Sequence, residues 1–148
     1  MLVGHSLGSV VAYDTLWELS HSAPSPGRVD LFMTLGSPLA SDFVWRKLHG
    51  VAEQGRRRYP TNVRRWLNFA SLGDTTAFHR ELEPYFRDMV ALGLTEKIED
   101  RTGFTNYFRG PQGLNPHDAY GYLAQAEVAR AIGDWLLANG VARSPRGS

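Results

Sequence analysis

The chain contains no cysteine, which excludes disulfides, thiolate metal sites and a thiol nucleophile without settling the compartment. It also lacks an excess of either charge. Sixteen lysines and arginines against 15 acids leave a formal net charge of +1, so no whole-protein field gathers nucleic acid. The basic run Arg56-Arg57-Arg58, with Arg64-Arg65, is accordingly read as a solvated loop face. No apolar run approaches the ~20 residues of a membrane span, and Met1 opens no secretory leader. These two absences and the missing cysteine lean the expectation toward the cytoplasm. Internal repeats, metal-ligand clusters and a phosphate loop with its lysine are also missing from the sequence, so no metal and no cofactor is expected. What remains is a chain of 148 residues, 43% hydrophobic and 21% charged, a balance that can bury one core. A single domain over residues 1–140 is expected, with residues 141–148 as a disordered tail.

The most informative stretch is Leu2-Val3-Gly4-His5-Ser6-Leu7-Gly8-Ser9-Val10. Apolar residues before the glycine and a helix-period run after it give a strand, a tight turn and a helix, with Ser6 at the apex of Gly-x-Ser-x-Gly. A serine on such a turn has its hydroxyl held clear of the sheet. Side chains at Gly4 or Gly8 would collide where the chain doubles back. The Leu7 amide, at the helix N-terminus, would face a developing oxyanion.

Gly4-His5-Ser6-Leu7-Gly8-Ser9 resembles the nucleophile elbow of the α/β-hydrolase superfamily, nearest to its lipase-like and GPI inositol-deacylase-like members. Leu35-Gly36-Ser37-Pro38-Leu39, after an apolar run, resembles the segment that follows the next sheet strand in those lipases. The resemblance implies strands and an oxyanion loop ahead of the elbow. This chain begins at the elbow, so it is expected to be the C-terminal part of such a domain, either truncated by a misplaced start or missing a partner segment.

Taken in order, Val10, Tyr13, Leu16 and Trp17 fall at helical steps, and the helix should stop near Leu19, ahead of the proline-containing stretch to Gly27. Val29–Leu35 reads as a strand covered on both faces, giving a strand-helix-strand unit and a mostly parallel α/β sheet. Ser41-Asp42 would cap a short helix through Trp45 and Leu48, ended by Gly50. Val63–Ala70 reads as the next strand. Phe78–Leu92 is helical by pattern, its apolar stripe serving as core or as one wall of an acyl pocket. Lys97–Phe108 reads as a last strand or hairpin, residues 110–116 as a loop, and 118–138 as a closing helix with Leu123, Val128, Ile132, Trp135 and Leu136 on its inner side.

The resemblance also implies a triad. Its acid belongs in a turn after a strand, which Gly73-Asp74 satisfies; Asp42 and Asp100 are the rivals, and a plain turn with a capping carboxylate is the alternative for Asp74. Its base belongs on the loop after the final strand, which selects His117, although a helix-capping or surface role would suit that residue too. His5 would point away from Ser6, His21 and His49 fall near helix ends, and His79 would lie at the surface. The order Ser6, Asp74, His117 is that of the superfamily. Serine becomes a useful nucleophile only when a histidine takes its proton, and a carboxylate fixes the imidazole tautomer and steadies the imidazolium. The implied activity is hydrolysis of a small-molecule or lipid ester, weak in a chain holding half of its oxyanion hole. An acyltransferase is the rival enzyme, because Gly-His-Ser-Leu-Gly also resembles the elbow of malonyl-carrier-protein transacylases, which usually have an acid where Ser9 stands. A non-catalytic remnant is the third reading.

Overall fold

The computed structural model describes residues 1–140. Four strands, β1 (Leu2–His5), β2 (Val29–Leu35), β3 (Val63–Phe69) and β4 (Lys97–Arg101), form one sheet in the order β1-β2-β3-β4, and every pair is parallel. The fold is therefore α/β. Strand order rises in one direction, so crossovers of a single hand send every connection over the same face.

The two faces of the sheet follow from the period-2 alternation of its strands. Phe32 and Trp66 point to the crossover face, where they meet Tyr13 and Leu16 of α1 (Leu7–Ser22) and Phe86 of α3 (Glu83–Phe86). Leu31, Met33, Leu35, Leu67 and Phe69 point the other way, toward Tyr122 of α5 (Ala119–Leu123) and Val128 of α6 (Ala126–Gly140). The central strand β2 is apolar on both sides for this reason, and its residues from Leu31 to Leu35 are all buried.

Three expected boundaries hold closely and others move. β2 spans the expected residues and β3 ends one residue early, at Phe69. The helix after the elbow runs on to Ser22 instead of stopping near Leu19. Ser20 and Ser22 bond back to the carbonyls of Trp17 and Glu18, and the His21 ring lies 4.7 Å from that of Trp17, which carries the last turn to Ser22, two residues short of Pro24. The short helix α2 covers only Asp42–Trp45. Leu48 lies in the turns beyond it, leading to Gly50 at φ 78°, where a Cβ would strike the Arg58 carbonyl. The arginine run forms an exposed 3₁₀ turn, Gly55–Arg58.

The expected helix over 78–92 is not continuous. Residues 78–82 are not helical, and two single turns follow, α3 and α4 (Asp88–Ala91). The cause is a competing set of side-chain bonds. Asp100 accepts the amides of Leu82 and Glu83, while Asn68 donates to the Arg80 carbonyl. Leu82, Phe86 and Met89 nonetheless enter the core, so that stripe packs against the sheet. The last strand ends at Arg101, and a two-residue hairpin, β5 (Arg109–Gly110) with β6 (Gly113–Leu114), stands in the expected loop. The closing helix is split into α5 and α6 at residues 124–125, and Leu123 and Leu136 are exposed instead of facing inward. The expected tail, 141–148, lies outside the described residues. Among the described residues no helix is long and apolar enough to cross a membrane.

Candidate active site

In a parallel sheet all strands end on one edge, and the chemistry-bearing side chains of this protein gather there. The turn after β1 carries Ser6, the only non-glycine residue at positive φ among those described (φ 54°, ψ −131°). A β-carbon pays steric energy in that conformation, so the surroundings must hold it. Ser6 donates its amide to the Leu35 carbonyl, extending the β1–β2 ladder by one bond. Ser9, one helical turn on, donates from Oγ to the Ser6 carbonyl at 2.6 Å and accepts from Ser37 Oγ at 2.7 Å. The two serines thus tie the elbow to the exit of β2. Gly4 is required by close approach, since a Cβ there would lie 2.7 Å from the Ser9 Cα. At Gly8 the expectation of a clash is corrected: no atom stands within 4 Å of the added carbon. Leu7 opens α1, where its amide has no intrahelical acceptor.

The turn after β3 carries Asp74. Gly73 takes φ 81° to make the bend, and the Asp74 side chain is fully buried. Asp74 Oδ1 accepts the amides of Thr76 at 2.9 Å and Ala77 at 3.3 Å. The carboxylate therefore caps its own turn and also faces the imidazole of His117, so the two alternatives for this residue hold together. His117 Nδ1 lies 2.9 Å from Oδ2 and 3.0 Å from Oδ1. An Nδ1 facing a carboxylate carries the proton, leaving Nε2 free to accept. Nε2 lies 2.8 Å from Ser6 Oγ. Hydroxyl, imidazole and carboxylate, drawn from residues 6, 117 and 74, form one unbroken hydrogen-bonded line.

His117 reaches this place on a loop with little regular structure, and Asn106 fixes it. The fully buried Asn106 donates from Nδ2 to the carbonyls of Pro116 and Asp118, which flank the histidine, and accepts the Phe108 amide at Oδ1. Its own amide donates to Ser71 Oγ at 2.8 Å. Asp118 then caps α5 by accepting the Tyr120 amide. Gly121 carries no side chain because a Cβ there would overlap the Asn106 amide.

His5 does not point away from the site as expected. Its ring lies 4.8 Å from that of His117, and its Nε2 donates to the His117 carbonyl at 2.7 Å. The sharp turn that lifts Ser6 leaves the preceding side chain on the histidine side. The remaining candidates stay apart from this line. Asp42 is exposed at the start of α2, and Asp100 bonds to Asn68 and two amides. His21 donates from Nε2 to the Tyr59 carbonyl at 3.0 Å, His49 pairs with Glu18 at 3.1 Å, and His79 is exposed beside Tyr85.

Sequence reasoning missed Tyr122, His5 and Asn106. Tyr122 donates to Asp74 Oδ2 at 2.6 Å and accepts the Ser71 amide at 2.9 Å. Burial, and then the bond to Asp74, push the Tyr122 phenol well above the ordinary tyrosine value, so it stays a neutral donor. Gly121, a glycine inside a short helix, is the one signal in the sequence of a close approach there. Gly36 belongs to the same pocket: at φ 55°, its added Cβ would meet Asp74 Oδ2 at 2.7 Å and the Tyr122 hydroxyl at 3.1 Å. Among the described residues no group of three His, Asp or Glu side chains is set to hold a metal. No protein-family model, curated protein or solved structure matches this chain.

Proposed function

We propose that this protein is a serine hydrolase of the α/β-hydrolase kind that acts on carboxylic esters, with Ser6 as nucleophile, His117 as base and then acid, and Asp74 as its orienting partner. The observation that carries this reading is the 2.8 Å approach of His117 Nε2 to Ser6 Oγ, with Nδ1 held on Asp74 from the other side. As Ser6 Oγ attacks an ester carbonyl, its proton passes to Nε2, and the buried carboxylate steadies the resulting imidazolium. The oxyanion forms beside the Leu7 amide at the start of α1, where the helix dipole favours negative charge. His117 gives the proton to the departing alkoxide, leaving an acyl-serine. It next takes a proton from water, whose oxygen attacks the acyl carbon, and returns that proton to Ser6. The exposed side chains of Leu7 and Leu72, on the turns that carry Ser6 and Asp74, favour an ester with an apolar acyl group.

The test is covalent. A fluorophosphonate should form an adduct that mass spectrometry assigns to Ser6, and it should be lost in Ser6→Ala and His117→Ala. An adduct that persists in Ser6→Ala, or none at Ser6 in the native chain, would overturn the reading. Release of p-nitrophenol from a short-chain ester, abolished in Ser6→Ala, would extend the result from acylation to turnover.

A further inference from the structure

Tyr122 touches the Ser6–His117–Asp74 line without belonging to it. Its ring is fully buried between Phe104, 5.8 Å away, and His5, 5.9 Å away. Packing alone would be served by phenylalanine. The hydroxyl, however, is committed twice: it accepts the Ser71 amide at 2.9 Å and donates to Asp74 Oδ2 at 2.6 Å. The accepted bond polarises the O–H and strengthens its donation, and the short distance is that of a charge-assisted O–H···O⁻ bond. The same Oδ2 faces His117 Nδ1 at 2.9 Å, so phenol and imidazole draw on one negative charge.

We infer that Tyr122 is a positioning residue that sets the basicity of His117 through Asp74. This rests on the triad reading given above. By drawing charge from Oδ2, the phenol weakens the attraction of the carboxylate for an imidazolium and favours the neutral His117 that can accept the Ser6 proton. Besides Asp74, the titratable groups around His117 are His5, which bonds to its backbone carbonyl, and Asp118, which caps α5. Neither bonds to the Asp74 carboxylate, so the direct route from the Tyr122 hydroxyl to the His117 ring runs through Asp74 Oδ2.

The experiment follows the His117 ring by NMR titration of the full chain labelled with isotopic histidine. In Tyr122→Phe the titration midpoint should move up by about half a pH unit relative to the native protein. Site-specific replacement of Tyr122 by 3-fluorotyrosine makes a stronger donor of the same shape, and the midpoint should move down. Midpoints that coincide with the native one, or that move in the same direction in both variants, would overturn the role. If Tyr122→Phe fails to fold, the fluorinated protein decides alone. A purely structural tyrosine would change thermal stability and leave both midpoints in place. Fluorophosphonate capture at Ser6 separates the two ideas. Opposed midpoint shifts without capture would sink the hydrolase and keep the Tyr122 effect, whereas capture with fixed midpoints would remove Tyr122 alone.

Discussion

Asp74 and Asp100 are two versions of one local device. Each follows or sits in a sheet strand, each accepts two successive backbone amides, Thr76 and Ala77 in one case and Leu82 and Glu83 in the other, and each has a further side-chain N–H donor. The difference is in that donor. Asp100 meets the Asn68 amide, which cannot exchange a proton with it in the course of a reaction, and the result is a fixed bend in the chain. Asp74 meets an imidazole whose far nitrogen touches a serine hydroxyl. A carboxylate that folds a turn becomes part of a proton path only through the partner on its other side.

Breaking each carboxylate in turn separates the two roles. Asp74→Asn should slow fluorophosphonate capture at Ser6 on the order of 10⁴-fold, because an amide favours the wrong imidazole tautomer; stopped-flow or quenched labelling measures this. Asp100→Asn should leave the capture rate near native. Asp100→Ala, which strips the acceptor from two amides, should instead cost about 1–3 kcal/mol in urea unfolding, with the rate per folded molecule unchanged. Equal rate losses at both positions would erase the distinction. A middle case is Gly36→Ala, which forces a side chain into φ 55° and against Asp74 Oδ2. It should lower stability by roughly 1–2 kcal/mol and slow capture together. The smallest effect is expected at Gly8, which touches neither carboxylate and has open space. Gly8→Ala should be neutral or stabilising by up to about 1 kcal/mol, as thermal unfolding would report.

The parts legible in the sequence were those written in consecutive residues. Short, mostly apolar runs announced β2 and β3, and the spacing of Gly4, Ser6 and Gly8 announced the elbow. Gly73-Asp74 and Pro116-His117 announced their turns, and the structure brings all three polar side chains onto one line. What could not be read depends on partners distant in the chain. The helix pattern over 78–92 is sound locally and fails because a carboxylate at 100 captures two of its amides. Tyr122 is not among the residues singled out in the closing helix, since nothing near it in sequence reveals that Asp74 and Ser71 flank its hydroxyl. The break at 124–125 in that helix, and the outward turn of Leu123 and Leu136, likewise follow from packing against the sheet rather than from the period of the stripe.

The attachment of residues 102–118 has a consequence for how this protein should fail. β1, β2 and β3 are held by ladders of backbone bonds, whereas the segment that presents His117 is held by a few scattered ones, from the Asn106 side chain and amide, the Phe104 carbonyl and the His5 ring. Local openings with few bonds to break are the first to occur on warming or in dilute denaturant. Ser6 and Asp74 would then remain in register while His117 swings off, so loss of fluorophosphonate capture should precede loss of circular dichroism, and early amide exchange in 102–118 would mark the hinge.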